Sequence, residues 1–199
     1  MRKTAEDRKS EILTVVLDLA DRFGPDRVTS MAVASTVGVT QAAVFRHFPT
    51  MAHLWLAVAG HVSLKMDSAW QAALRNAPTP IARIEALVAA QLAQISDMPA
   101  LPMLLFSREL NVANPDLRAA FRLRLKAFHT LLVQQLGEGQ KAGQLQKDLP
   151  VADAAVLLTS LVQGMAIRWS LSARNFALVD EGKRILKLQL QLIAARSGD

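Results

Sequence analysis

Cysteine and tyrosine are absent from the 199 residues, and aromatic residues make up only 5% of them. Without cysteine the chain has no disulfide bond, no thiolate metal site and no cysteine nucleophile. No apolar run approaches the roughly 20 residues that span a bilayer, and the charged first residues lack the pattern of a signal peptide. These absences favour a cytoplasmic protein that makes no membrane contact.

Enzyme signatures are missing as well. The sequence contains no G-x-S-x-G elbow, no phosphate-binding loop, no H-E-x-x-H and no glycine run of a dinucleotide-binding domain. His53 and His61 lie more than two helical turns apart, which does not make a compact metal pair. We therefore predict no enzymatic activity, no metal site and no cofactor.

The charge balance is positive but does not locate a function. The net charge is +6, yet residues 1–50 carry seven Lys or Arg against six Asp or Glu. A basic excess is compatible with DNA binding. Because most of the excess lies beyond residue 50, a motif rather than the charge has to indicate where DNA would bind.

Apolar residues recur at helical spacing along most of the chain, and the alternation typical of strands is absent. In the first such segment the apolar side includes Ile12, Val16 and Phe23. Proline or glycine separates the segments, and Gly137 and Gly139 are expected to end the seventh. We predict an all-α fold of about nine helices, at residues 4–23, 29–38, 40–48, 51–75, 80–96, 101–111, 115–136, 151–169 and 179–195.

Residues 28–54, VTSMAVASTVGVTQAAVFRHFPTMAHL, have the layout of a helix-turn-helix. Two short helical segments meet at Gly38, whose backbone suits a tight turn. Thr29 and Thr40 stand where the two helices begin, and threonine is a good N-cap residue. In such a motif the first residues of the second helix point toward base edges in the major groove.

This stretch resembles the TetR family of regulators, whose head follows a pattern close to T-T-x-x-I-A-x-x-A-G-V-S-x-G-x-L-Y-x-H-F-x-x-K-E-x-L. The residues that match in register are Thr29-Ser30, Val33-Ala34, Val37-Gly38-Val39-Thr40, Ala42, Val44-Phe45, His47-Phe48 and Leu54. The resemblance implies a DNA-binding helix-turn-helix head in residues 1–50. It also implies a helical ligand-binding and dimerisation domain in residues 51–199.

The resemblance implies particular DNA contacts. Phosphate contacts are expected at Thr29, Phe45 and His47, and base or groove contacts at Thr40, Gln41 and Ala42. Glutamine can bind adenine through two hydrogen bonds, while Arg46 can reach either the backbone or a base. Arg2 and Lys3 are expected to form an arm that reaches phosphates or a minor groove.

Two positions depart from the family pattern. Phe45 replaces the usual tyrosine, so the hydroxyl that would donate to a phosphate is missing. Met51-Ala52 replaces the usual Lys-Glu pair, which removes another phosphate contact. Both losses concern affinity that does not depend on DNA sequence, so we expect a weaker hold on DNA but the same fold.

A ligand cavity is a second expectation for the C-terminal domain. Its candidate lining is Trp70, Met103, Phe106, Phe128, His129 and Gln163, in which polar groups stand among apolar ones. Apolar residues at helical spacing are more often plain core, and we expect about half of such residues to be core. The ligand would be a small apolar or amphipathic molecule.

The segments 151–169 and 179–195 carry the strongest apolar stripes and are the candidates for dimerisation. Two helices from each subunit would form a four-helix bundle, as in the resembled family, with these residues at its centre: Leu158, Leu161, Met165, Leu188 and Leu192. Gly164 costs about 1 kcal/mol of helix stability relative to alanine, which indicates a close helix contact.

Together these features predict a homodimeric DNA-binding transcriptional regulator. Its partner would be a palindromic double-stranded DNA operator, because one head alone binds weakly and a two-fold dimer presents two. The resemblance further implies a repressor that a small-molecule ligand releases from the operator. The alternative is a ligand-independent helical DNA-binding or partner-docking protein.

Overall fold

The computed structural model describes residues 4–195. Within that range the chain forms ten α-helices, and its β-structure is one isolated bridge between Leu145 and Ala194. The helices are α1 (Ala5–Phe23), α2 (Ser30–Val37), α3 (Gln41–His47), α4 (Met51–Asn76), α5 (Pro80–Asp97), α6 (Leu101–Phe106), α7 (Arg108–Ala113), α8 (Pro115–Lys141), α9 (Val151–Leu171) and α10 (Leu178–Ile193). The all-α prediction is confirmed. The predicted arm at Arg2 and Lys3 lies outside the described residues.

The extra helix arises at Ser107, where the predicted segment 101–111 divides into α6 and α7. The backbone of Ser107 is extended, and its hydroxyl oxygen accepts a hydrogen bond from the Leu110 N–H at 3.1 Å. Serine is a favoured N-cap residue for this reason. A capping side chain inside an apolar segment therefore ends one helix and begins the next.

Helix α8 continues past the glycines that were predicted to end it. It runs through Gly137 and Gly139 to Lys141, and the chain turns at Gly143, whose φ is 68°. A Cβ on Gly139 would lie 3.1 Å from Cδ1 of Leu145. Gly139 is thus explained by the close packing of the following loop rather than by a helix end.

Helix α1 begins with a capping box, in which the side chains of Thr4 and Asp7 each accept from the other's backbone N–H. Ile12 and Val16 are fully buried, as their spacing predicted. The prediction for Phe23 was wrong, because this ring is 57% exposed at the last residue of the helix. The Arg22 guanidinium lies 5.1 Å from its centroid.

The chain forms two compact units. The first comprises residues 4–64 together with Met98–Leu123, and the second comprises Lys65–Asp97 and residues 124–195. Helices α4 and α8 each have one part in either unit. The functional boundary expected at residue 50 falls inside the first unit and stays a prediction.

In the first unit, α1 and α2 pack together and α2 packs on α3. Helix α6 contacts α1, and α7 contacts the 3-10 helix Pro25–Arg27 that connects α1 to α2. The core of this part is aliphatic and close to fully buried, and it includes Ile12, Val16, Ala20, Val33, Ala34, Val44, Leu101, Leu104 and Leu117. This packing fixes the position of α2 and α3.

In the second unit, α5 packs against both α9 and α10. A close approach of α10 to α5 is at Gly182, where an added Cβ would overlap Cδ1 of the fully buried Leu92 on α5. Glycine at this position therefore sets how closely the two helices approach. It does so at the cost of about 1 kcal/mol of helix propensity.

Hydrogen bonds also join the helices of the second unit. Trp70 Nε1 donates to Gln91 Oε1 at 2.9 Å, and both side chains are buried. The Arg124 guanidinium donates to the Asp67 carboxylate and lies 5.8 Å from the Trp70 ring centroid. These contacts connect the second half of α4 to α5 and α8.

A loop that follows α8 closes the C-terminal end of α10. Gln146 donates twice to this end, from its backbone N–H to Ile193 O at 3.1 Å and from Nε2 to Leu192 O at 2.9 Å. The Ala195 N–H returns a hydrogen bond to Gln144 O at 3.1 Å. The last carbonyls of a helix lack intrahelical partners, so the loop supplies what the helix cannot.

We expect Gly182→Ala to lower the free energy of unfolding by up to about 2 kcal/mol, because overpacking costs about 1–3 kcal/mol and alanine's helix propensity returns about 1. Gly60→Ala is the matched control, since nothing lies within 4 Å of a Cβ on this exposed α4 glycine. It should leave stability unchanged or raise it. Urea denaturation at one protein concentration measures both, and equal midpoints would contradict the expectation.

Candidate nucleic-acid interface

Helices α2 and α3 begin with the threonine caps that the sequence predicted. The Thr29 hydroxyl oxygen accepts from the Ala32 N–H at 3.1 Å, and that of Thr40 accepts from the Ala43 N–H at 3.2 Å. Each hydroxyl hydrogen remains available to donate. Because both threonines are exposed, that hydrogen can reach a phosphate oxygen outside the head.

The turn between the two helices is made at Gly38, whose φ of 75° and ψ of 38° are left-handed. The Gly38 N–H donates to Ser35 O at 3.3 Å and the Val39 N–H to Ala34 O at 3.0 Å, which closes the end of α2. Glycine adopts this backbone conformation without the penalty that a side chain brings. The direction in which α3 leaves the turn is set here.

The helix-turn-helix packs inward through Val33, Ala34, Val44 and Phe48, all of which are buried. Their burial decides which side of α3 faces solvent. Gln41, Ala42 and Arg46 are exposed, while Phe45 and His47 are half-buried. The structure thus brings the predicted DNA-contacting residues of α3 to the outer side of the head.

Phe45 and His47 offer different chemistry on this surface. Phe45 has no hydroxyl, so only its ring is available, as the sequence indicated. The His47 ring lies 6.4 Å from the Phe48 ring, centroid to centroid, at 50°. Packing on a buried ring limits the rotation of His47 but leaves it partly open to solvent.

The start of α4 follows directly. Thr50 caps it by accepting from the His53 N–H at 3.2 Å, and the Thr50 hydroxyl lies 2.8 Å from His53 Nδ1. Met51 is half-buried and Ala52 is exposed. Neither side chain carries a charge, so this edge of the head has no cation where the Lys-Glu pair of the resembled family would stand.

Two residues at or just beneath this surface were not predicted from the sequence. Arg27 is exposed two residues before the Thr29 cap, where it places a positive charge, and the Gly24-Pro25 turn was the signal that could have revealed it. Ser30 is only 8% exposed, and its Oγ accepts a hydrogen bond from Gln41 Nε2 at 2.7 Å. No sequence signal points to this pair, because 11 residues separate its members.

The predicted ligand residues are divided between the two units. Trp70 and Phe128 meet in the second unit, with ring centroids 5.3 Å apart, and His129 and Gln163 are half-buried there. Met103 and Phe106 belong to the first unit, and the Phe106 side chain is 49% exposed. An open groove of about 480 Å³ between α5 and α10 is lined by Ala82, Glu85, Ala86, Ala89, Lys183, Leu186 and Lys187, none of them predicted.

The predicted dimer residues need a correction. Leu158 is 0% and Met165 is 6% exposed, so both side chains belong to the core of their own unit and cannot meet a second copy. Leu161 is half-buried, and Leu188 and Leu192 are 55% and 70% exposed. The other large apolar side chains exposed on α9 are Val156, Leu157, Ile167 and Leu171.

Helix α9 is also long and apolar enough to cross a membrane by length and composition, with a mean hydropathy of 1.3. Only 33% of that stretch is buried within the chain. The helix packs on α5 and α10, and the Trp169 Nε1 donates to Phe176 O at 3.1 Å in the turn after it. Its uncovered apolar side is therefore the feature that requires explanation.

Two family models together match most of the chain. Residues 12–58 match the family model described as "Bacterial regulatory proteins, tetR family", and residues 80–193 match the model "BetI-type transcriptional repressor, C-terminal". The nucleoid occlusion factor SlmA of Marinomonas sp. (strain MWYL1) is 26% identical over 164 residues, which are 82% of this chain and 83% of that protein.

Solved structures share the fold. A putative transcriptional regulator from Saccharomonospora viridis in complex with choline superposes with a TM-score of 0.84 at 21% identity, covering 96% of this chain and 100% of the other. The fatty acid degradation regulator FadR from Bacillus halodurans gives 0.81 at 17% identity, covering 96% and 97%. At these identities the likeness shows the architecture alone.

We expect Thr40→Ala to lower the free energy of unfolding by about 1 kcal/mol, because the Ala43 N–H loses its cap acceptor. Thr40→Ser keeps a hydroxyl oxygen at the same position and should be close to neutral. Thermal unfolding of the two variants beside the unmodified chain measures the difference. An equal loss in both would show that the methyl group matters and the cap does not.

Proposed function

The chain belongs to the TetR family of bacterial regulatory proteins, and from this we propose that it is a homodimeric repressor which a small ligand releases from a palindromic operator. The single observation that carries the DNA-binding part is the outer side of the helix-turn-helix. There, Thr29, Thr40, Gln41 and Arg46 stand exposed on two helices whose relative position a buried core fixes. We place the protein in the cytoplasm with the DNA that it binds.

The head supplies both kinds of DNA contact in this proposal. Thr29, Thr40 and His47 donate to phosphates, and Arg27 and Arg46 add positive charge to the same surface. Gln41 and Ala42 face the base edges, where an amide forms hydrogen bonds and a methyl group meets the methyl of thymine. Because Phe45 and Met51 lack phosphate donors, the second head of a dimer matters more for affinity.

The uncovered sides of α9 and α10 support a dimer. A soluble monomer rarely leaves a contiguous apolar patch of this kind uncovered, and isologous two-fold contacts are the usual solution. The proposed face consists of exposed residues rather than the core residues first predicted: Val156, Leu157, Ile167, Leu171, Leu188 and Leu192. Leu161, which is half-buried, lies at its border.

Gly164 fits the same face. It is exposed on α9, and nothing in the chain lies within 4 Å of a Cβ placed there. Its cost to the helix is therefore unexplained by packing within the subunit. A helix of the partner passing close to Gly164 gives this glycine the close contact that the sequence indicated.

The ligand part of the proposal rests on the buried aromatic pair of the second unit. Trp70 and Phe128 are both under 5% exposed, and Gln91 supplies a buried polar partner beside them. Apolar walls with few polar groups are typical of sites for small amphipathic molecules. Met103 and Phe106 are left out of this site because they belong to the first unit.

A ligand there would act through α4. Residues of its second half hold Gln91 and Arg124 by hydrogen bonds, while its first half belongs to the unit that contains the head. For release, the ligand must bind the DNA-free conformation more tightly than the DNA-bound one. The match of residues 80–193 to the BetI-type repressor model supports repression rather than activation.

The SlmA relatives favour a second candidate function. These proteins carry the name nucleoid occlusion factor, and one of them aligns with 82% of this chain. This name supports the alternative that the sequence left open, a ligand-independent helical DNA-binding or partner-docking protein. The two candidates share the head and the dimer face but differ in what the second unit recognises.

We expect the double variant Leu157→Glu with Leu171→Glu to be monomeric, because four like charges would enter the two-fold interface without partners. Leu64→Glu, on α4 at a leucine that is 73% exposed, is the matched control and should stay dimeric. Sedimentation velocity measures both. A double variant that still sediments as a dimer would exclude this face.

Selection of bound DNA from a random pool tests the function itself. We expect one palindrome whose half-sites lie about one helical turn apart, roughly 34–36 Å, or a multiple of it. Enrichment of no sequence would contradict the regulator. Genome-wide occupancy then separates the candidates, since a repressor occupies a few promoters and a nucleoid protein occupies many sites. Adding a metabolite extract should release the repressor from its DNA but not the nucleoid protein.

A further inference from the structure

We propose that Ser30 is a positioning residue that sets the base preference of Gln41. The inference rests on the proposed DNA-binding role of the head and adds a specificity determinant to it. Ser30 is the first residue of α2 and Gln41 the first of α3. The Gln41 Nε2 donates to Ser30 Oγ at 2.7 Å, so the only exposed amide at the start of α3 is held by the neighbouring helix.

The anchor belongs to the packed part of the head. Ser30 is 8% exposed between the Thr29 cap and the buried Val33, on a helix that packs against α3. A free glutamine on a surface samples many rotamers. Holding its amide at the nitrogen end removes most of that freedom before DNA arrives, which is how a preorganised contact gains selectivity.

The hydrogen bond turns the nitrogen end of the Gln41 amide toward Ser30. An amide carries an acceptor at its oxygen and two N–H donors at its nitrogen. With one N–H directed to Ser30, the oxygen and the second N–H are left for DNA. This pair matches adenine, whose N6 donates and whose N7 accepts in the major groove.

Guanine presents the opposite requirement. Its major-groove edge offers two acceptors, N7 and O6, so the second N–H can donate to one of them while the amide oxygen faces the other without a donor. A glutamine that turns freely can rotate its amide and donate to guanine instead. Ser30 therefore narrows the preference of Gln41 from any purine toward adenine, without itself contacting a base.

The test compares full-length variants in selection from random DNA and in competition binding. The unmodified chain should enrich adenine at one position of each half-site, and Gln41→Ala should lose that preference. In Ser30→Ala the preference for adenine over guanine should fall by about tenfold, while binding to the operator persists. Ser30→Thr keeps the hydroxyl and should restore the preference.

The double variant separates positioning from a merely structural role. If Ser30 acts through Gln41, Ser30→Ala should change nothing further in the Gln41→Ala background. Enrichment of guanine by the unmodified chain, or a Ser30→Ala variant with an unchanged ratio, would overturn the inference and leave the regulator intact. Selection of no sequence at all would overturn the proposed function and this inference together.

If Ser30→Ala lowers the stability of the head, a measurement on the protein without DNA still tests the inference. The side-chain amide of Gln41 should show slow exchange and restricted motion in nuclear magnetic resonance of the unmodified protein. Both signs should disappear in Ser30→Ala and persist in Ser30→Thr. A Gln41 amide that is equally mobile in all three proteins would show that the hydrogen bond has no positioning role.

Discussion

The left-handed turn at Gly38 is the constraint on which the DNA-facing surface depends. A side chain in this conformation would cost roughly 1–2 kcal/mol, and since nothing else lies within 4 Å of a Cβ there, the cost comes from the local backbone rather than from contact with another part of the chain. The turn brings the first residues of α2 and α3 together, so that Ser30 meets Gln41. It also leaves Val44 buried and Arg46 exposed on α3.

Much of the head could be predicted because its determinants are local. The caps at Thr29 and Thr40, the turn glycine and the buried side of the two helices all follow from residues within one or two turns of each other. The bond between Gln41 and Ser30 could not be predicted, since it depends on how the two helices cross. The same holds for the exposure of Phe23, which helical periodicity alone assigns to the buried side.

For the C-terminal helices, by contrast, the sequence does not predict which side is buried. Helix α9 is apolar around most of its circumference, with Leu157 exposed and Leu158 buried at adjacent positions. Periodicity then identifies a helix but not which side meets α5 and α10 and which remains open. The packing of α9 against α5 and α10 decides this, and these are tertiary contacts that no local pattern records. The placement of Met103 and Trp70 in different units is unpredictable for the same reason.

The loop that holds the end of α10 has a consequence for assembly. Helix ends fray in the absence of partners, and the last turn of α10 carries Leu192 on its open side. Because Gln146 already binds the carbonyls of Leu192 and Ile193, this turn is ordered before any second chain arrives. The entropy that a frayed end would lose on association is lost during folding instead. Two folded subunits would then meet as rigid bodies, and their encounter would be limited by orientation rather than by a disorder-to-order step.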